Sequence, residues 1–190
     1  MQDESVWFEQ VDEAFLHYIQ SVVRIADKNG NISPVPVSIR KADEDFKIES
    51  YPSITLYNLY SYQDIIRYYP EPIVVARDTE AGTVTVERGA IPYTLHYQLD
   101  FWSRFQSDMN EMTRLWLSKH PSLSFNLPVK DMSGKDRVCV VLVADDLKKM
   151  DQLSSLSRNF HSVLTYKVKV ELDSREQTVG PMIQEIDIIT

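Results

Sequence analysis

The sequence predicts an α+β fold, a mixed or antiparallel β-sheet covered by two main α-helices with an inserted β-hairpin. Three observations carry this. Between Tyr93 and Trp102 the chain alternates strictly: Tyr93, Leu95, Tyr97, Leu99 and Phe101 on one face, Thr94, His96, Gln98, Asp100 and Trp102 on the other. A period of two marks a half-buried strand. Directly afterwards the period lengthens. Phe105, Met109, Met112 and Trp116 recur every three to four residues, with Arg104, Asp108, Glu111 and Arg114 between them, which predicts an amphipathic helix over Phe105–His120. Near the N-terminus, Trp7, Val11, Phe15, Tyr18 and Val22 form a second helical stripe, widened by Ala14 and Ile19. A long strand feeding a helix that packs back on its sheet is an α+β nucleus.

Taken in order, the first helix opens at Ser5. It carries Glu9, Asp12 and Glu13 in its early turns, where negative charge suits the helix dipole. Asn29-Gly30 is its expected stop. Val35–Arg40 reads as a short strand, and Pro36 within it points to a sheet edge. An acidic loop follows, ADEDFKIES, and then a second strand in YPSITLYNLYSYQD. Both faces of that strand are partly apolar, so it is expected to be central or interface-facing.

The stiff passage Tyr68-Tyr69-Pro70-Glu71-Pro72 leads to a hairpin, residues 73–87. Ile73–Ala76 and Thr83–Glu87 flank the polar turn Thr79-Glu80-Ala81-Gly82. The hairpin is expected to be an arm or a plain surface feature. In the central unit Ser103 is the expected N-cap, and Pro121 ends the helix. Ser122–Asp136 reads as a loop. Arg137–Asp145, with its run VCVVLVA, reads as a strand buried on both faces. Leu147, Met150, Leu153 and Leu156 suggest a short helix in Asp146–Ser157. His161–Asp173 is the last long strand, with Leu164, Tyr166, Val168, Val170 and Leu172 facing one way. Ser174–Gly180 reads as a turn and Met182–Thr190 as a terminal strand, so that 174–190 form a C-terminal arm. The 190 residues are expected to make one domain.

Composition narrows the function. An apolar fraction of 43% is that of a globular chain, and no apolar run approaches the roughly 18 to 20 residues that span a bilayer. The acidic start MQDESVWFEQ does not read as a secretory signal. A single cysteine, Cys139, rules out an internal disulfide framework and reads as a buried, inert thiol. A formal charge of −8 repels a phosphate backbone, which argues against nucleic-acid binding but not against nucleic acid sliding past. Ten tyrosines suit sheets and interfaces.

No catalytic signature stands out. The four histidines (His17, His96, His120 and His161) share no ligand spacing with a second His, Cys or Asp. Ser133-Gly134-Lys135 lacks the remainder of a phosphate loop, and no G-x-S-x-G occurs. Asp145 and Asp146 at a strand end offer carboxylates, which a helix-start acidic pair explains as simply. No catalytic, cofactor or metal-ligand residue is therefore assigned, and no cofactor is expected. The tyrosine and tryptophan clusters are more informative. Tyr57, Tyr60, Tyr62, Tyr68 and Tyr69 crowd the end of the second strand, and Trp102 stands beside Asp100 on a polar face. Polar-tipped aromatics favour subunit interfaces. Thr79 and Glu80 at the hairpin tip, and Ile186 and Ile188 in the terminal arm, join them as interface candidates.

The sequence resembles the tail terminator, or tail completion, proteins of tailed bacteriophages and related contractile systems. The residues that carry the resemblance are Tyr51, Pro52 and Ile54, followed by Pro92, Tyr93, Leu95, Tyr97, Leu99, Asp100, Phe101 and Trp102 leading into a helix. The pattern of elements extends it over residues 5 to 172. The resemblance implies a structural virion protein and not an enzyme. It would form a hexameric ring that caps the tail tube and joins it to the neck or head connector. Its partners would be further copies of itself, the tail tube protein, the sheath protein where the tail contracts, and the neck proteins. DNA would pass through without specific binding, and no membrane is involved. The protein would reside in the tail or neck of the virion, assembled in the bacterial host cytoplasm. Within such a ring Asp43, Glu44, Asp45 and Glu49 could line the lumen, or simply form a solvated loop. The competing readings are another neck protein or a sheath-initiating baseplate protein, a soluble adaptor that grips one partner through its hairpin, and a small metal-dependent hydrolase using Asp145, Asp146 and His161.

Overall fold

The structure, a computed structural model, describes residues 4–26, 30–40, 48, 50–67, 73–87, 91–122, 124–130, 136–153, 158–172 and 177–181. By its internal contacts the chain divides into two compact units, Met1–Tyr62 with Thr94–Val170, and Gln63–Tyr93 with Glu171–Thr190. The fold is α+β and strand-dominated, with two helices among the described residues.

The first unit is built on a seven-stranded mixed sheet. Strands β1 (Arg24–Ala26) and β2 (Ile32–Pro34) pair separately as a small antiparallel ribbon. The main sheet runs β3 (Val37–Arg40), β4 (Ser53–Gln63), β7 (Ile91–Ser103), β11 (Arg158–Leu172), β9 (Asp136–Lys149) and β8 (Ser124–Lys130). Two-residue β10 (Gln152–Leu153) pairs with the start of β11. β3 is parallel to β4, while β9 is antiparallel to both β8 and β11. β3 lies at the sheet edge, as Pro36 suggests, and β4 lies inside.

Helix α1 (Glu4–Val22) buries Val11, Phe15 and Ile19, one residue per turn, with Val23 just beyond it. Phe15 meets the edges of Tyr97 on β7, Phe125 on β8 and Tyr166 on β11, at ring distances of 5.4, 6.1 and 6.0 Å. Helix α2 (Gln106–Lys119) adds Met109, Met112 and Trp116 to the same core. The Trp116 indole N–H donates to the Tyr166 hydroxyl at 2.5 Å, so a buried polar tip is satisfied. Tyr18 stacks on Phe125 with ring centres 5.1 Å apart. Such aromatic pairs add about 0.5–1.5 kcal/mol each beyond the area they bury.

Several elements differ from the sequence expectation, each for a physical reason. α1 ends at Val22 and not at Asn29-Gly30, because the following residues pair as β1 with β2. Gly30, with φ +82°, stands in the connection between those strands. Phe105 is 61% exposed and precedes α2 with extended backbone, so Met109, Met112 and Trp116 carry the stripe without it. Ser103 is not a helix N-cap; its hydroxyl accepts the Phe105 backbone N–H at 3.0 Å. Much of Ser122–Asp136 is strand β8, with Phe125, Leu127 and Val129 turned to the core and Pro128 exposed at an edge, where its missing N–H costs nothing.

β9 is longer than Arg137–Asp145, and it is buried on one face only. Cys139 and Val141 are buried while Val138 and Val140 are 64% and 40% exposed. Residues 146–149 continue β9 and do not start a helix, since Lys148 and Lys149 pair with Val163 and Ser162; residues 154–157 lie outside the described set. β7, expected to be half-buried, is buried on both faces at Thr94, His96 and Asp100. Side chains of residues 4–7, Trp7 included, lie outside the described set.

In the second unit, β5 (Ile73–Asp78), β6 (Thr83–Glu87) and β12 (Gln177–Pro181) form an antiparallel sheet in the order β12-β6-β5. Part of the expected turn Ser174–Gly180 is therefore strand β12. The Asp78 carboxylate accepts the backbone N–H groups of Glu80 and Ala81 at 3.0 and 2.9 Å, which fixes the turn together with Gly82 at φ +60°. In the same unit Arg67 donates to Asp64 at 2.7 Å and to the Tyr93 carbonyl at 3.1 Å.

Candidate functional site

Alternation along β7 sends Tyr97 towards α1 and its even-numbered neighbours to the opposite face. There Asp100, although 2% exposed, is well provided with donors. His161 Nε2 lies 2.8 Å from one carboxylate oxygen, and Gln98 Nε2 lies 3.0 and 3.1 Å from the two oxygens. The Thr55 hydroxyl is 3.5 Å away. A carboxylate accepts, so His161 Nε2 carries the proton in this pair. The Trp102 indole N–H donates to Thr55 at 3.2 Å, and its ring stacks on His161 at 3.6 Å, 7° from parallel. Thr55, Asp100, His161 and Trp102 thus form a closed loop tying β4, β7 and β11 together. The loop contains no activated nucleophile. Its partners consume each other, which is what a structural network requires.

The set considered for metal chemistry does not converge. Asp145 pairs across the sheet with Thr165, whose hydroxyl donates to it at 3.1 Å, and Lys148 lies 3.5 Å away. The Thr165 hydrogen bond, helped by Lys148, holds the Asp145 carboxyl below its usual range. His161 stands four residues from Thr165 along β11, about 13 Å at strand spacing. Among the described residues no three of His, Cys, Asp and Glu gather as a metal site. Cys139 is a buried thiol outside any disulfide.

Besides a groove of about 490 Å³ lined by Pro34, Val35, Tyr51, Pro52 and Phe105 among others, two open features of this unit carry charged or ring-stacked side chains. Beyond the Asp100 loop, His96 lies beneath two tyrosines, stacked on Tyr60 with ring centres 4.3 Å apart and tilted against Tyr62 at 5.7 Å. Tyr60 and Tyr62 are 54% and 45% exposed. His96 is 9% exposed, and its Nε2 has no hydrogen-bond partner among the described residues. Burial, with Lys167 adding to it, pushes this imidazole below its ordinary pKa.

The second feature is a groove of about 460 Å³ between α1 and the β3–β4 edge. Glu9, Asp12 and Glu13 line it on one side, Arg40 and Tyr57 on the other, with the Arg40 guanidinium 5.4 Å above the Tyr57 ring. The Tyr97 hydroxyl donates to Asp12 at 2.5 Å. Burial raises the Asp12 carboxyl despite that bond, and raises the Tyr97 hydroxyl well above its normal value.

Of the sequence-predicted interface residues, Tyr60 and Tyr62 form one exposed patch and Tyr57 lines the groove. Trp102 is half-buried in the Asp100 loop, and Thr79 and Glu80 sit exposed at the hairpin turn. Tyr68, Tyr69, Ile186 and Ile188 lie outside the described residues, as do the lumen candidates Asp43, Glu44, Asp45 and Glu49. Sequence reasoning missed the His161–Asp100 pair, 61 positions apart, and the Tyr60–His96–Tyr62 stack. Both depend on which strands neighbour which, and alternation along one strand carries no such signal.

Among the described residues no helix is long and apolar enough to cross a membrane. The sequence matches no family model and no curated protein. Among solved structures it is similar to the sheath/tube terminator, in the extended state, of an extracellular contractile injection system, PVC, determined by cryo-EM. Identity is 12% and the TM-score is 0.43, over 96% of this chain and 64% of that one. The chain thus spans just under two thirds of the length of that protein.

Proposed function

We propose that this protein is a structural component of a phage-like tail: a ring, most simply of six subunits, that caps the tail tube and joins it to the neck. The observation that carries the reading is the strand pair at the heart of the first unit. The residues on which the tail-terminator resemblance rests fall at the entry to β4 (Tyr51, Pro52, Ile54) and along β7 (Pro92 to Trp102), two neighbouring strands. The second of them runs straight into α2. Most of these residues build the core and the Asp100 loop, so the motif is spent chiefly on architecture, while Tyr51 and Pro52 line an open groove of about 490 Å³. The whole chain acts as one tail-terminator-like domain in this reading. The β5–β6 hairpin and the 174–190 arm reach neighbours, the tube, or a sheath if the tail contracts. DNA passes through the ring without specific binding, repelled by a chain of net charge −8. The protein resides in the assembled particle.

The test is end-binding. Gold-labelled protein is mixed with purified tail tubes that lack it and imaged by electron microscopy. Label at one tube end only, one ring per tube, is the expected result. Label along the whole tube, or none, overturns the reading.

A further inference from the structure

We propose that the patch of Tyr60, Tyr62, His96 and Lys167 receives Glu9 and Glu13, on α1 of a second copy of this chain, in a head-to-tail contact. The inference deepens the ring reading and rests on it.

Three observations lead there. The patch is unfinished: His96 is nine-tenths buried yet its Nε2 has no hydrogen-bond partner among the described residues, and an unsatisfied buried polar atom is costly. It lies beneath two tyrosines that stay half exposed, the residue type that interfaces favour. The patch and its proposed occupant also complement each other in charge. Lys167 lies close enough to His96 to act on it electrostatically, and it shares the face with Lys169, two residues on. Glu9 and Glu13 are exposed on α1, where they line one wall of the groove that Arg40 and Tyr57 close on the other side; His17 lies 3.6 Å from Glu13, in solvent. The two glutamates stand four residues apart, about 6 Å along the helix. His96 and Lys167 stand on neighbouring strands, whose axes run about 4.8 Å apart. One carboxylate can therefore meet Lys167 while the other approaches His96, whose Nε2 becomes reachable only as the two covering tyrosines shift aside.

The geometry also sets the symmetry. Tyr97 turns towards α1 and bonds Asp12, so its neighbour His96 turns the other way. Patch and acidic helix face lie on opposite sides of the sheet. A contact between them cannot be two-fold; it is heterologous, and repeated it closes into a ring or runs on as a helix.

The test uses full-length chains in which Glu13→Cys and Tyr62→Cys are made separately. Mixed and mildly oxidised, the two are expected to give a covalent dimer that neither gives alone. A chain carrying both substitutions is expected to give a ladder ending in a closed ring. Adding Lys167→Glu should cut the yield at least about tenfold, the scale of a close charge pair, and Glu9→Lys in the partner should restore it. No mixed dimer, or one whose yield ignores Lys167, overturns the proposal; if rings still form on tubes, the ring reading survives it. A ladder without closure keeps this interface and overturns the ring.

Discussion

Asp100 is the residue on which the polar sheet face depends. Its carboxylate is buried and receives His161, Gln98 and Thr55. Removing it strands donors that are wholly or partly buried, which costs more than the bonds themselves contribute. Asp100→Ala is expected to lower the unfolding free energy by about 3 kcal/mol, measured by urea titration. A loss under about 0.5 kcal/mol, the size of an ordinary surface change, would show that the loop does not hold the strands.

His96 and His120 make a separate prediction. Burial lowers both imidazoles below their ordinary pKa. His120 Nδ1 faces the Trp116 carbonyl at 2.8 Å and its Nε2 faces the Tyr18 hydroxyl at 2.9 Å, so the ring is held in its neutral form between an acceptor and a donor. The unfolded chain then binds more protons than the folded one just below the usual histidine pKa of about 6.5. Stability from these groups is complete above that pH and is lost as pH falls through the lower folded values. Between about pH 7 and 5 the double variant His96→Gln/His120→Gln should lose less stability than the parent, and equal slopes would contradict the assignment. Asp12, raised by burial, acts with the opposite sign in the lower, carboxylate range.

At the scale of elements, α2 is held by one face. Trp116→Ala should cost about 3–5 kcal/mol, as large core truncations do, whereas Phe105→Ala should stay within about 0.5 kcal/mol. Thermal unfolding of the two variants separates the helix start in the structure, after Phe105, from the one the sequence stripe suggests. This contrast also shows what local pattern can reveal. Val11, Phe15 and Ile19 at helical spacing, and Leu95, Tyr97 and Leu99 at strand spacing, declared their elements because one local period decided their burial.

The misses came where a distant partner decided. Lys148 and Lys149 are strand because Val163 and Ser162 pair with them, although Leu147 and Met150 are in helical phase. β8 hid behind Pro128, which an edge position tolerates. In the second unit, Asp78 carries the β5–β6 turn. Asp78→Ala should cost that hairpin about 1 kcal/mol for the lost carboxylate bonds, seen as faster amide exchange in β5 and β6 while the main sheet is unaffected.

At the scale of the whole molecule, function follows from what the chain spends its chemistry on. Asp100, Asp145 and His161 are engaged in holding strands together, and among its open features are a tyrosine patch over His96 and an acidic groove beside α1. Surfaces of that kind fit a subunit that works by position in an assembly. The exposed tyrosine cluster at the end of β4 was legible in the sequence, while the imidazole beneath it needed the β4–β7 pairing to appear. The measurement that tests this most directly is a cryo-EM reconstruction of the assembled particle at a resolution that traces the chain. The account predicts a closed ring of this protein at the end of the tail tube, around the channel, with β7 and α2 inside each subunit. A subunit that encircles no channel and touches no second copy would contradict it.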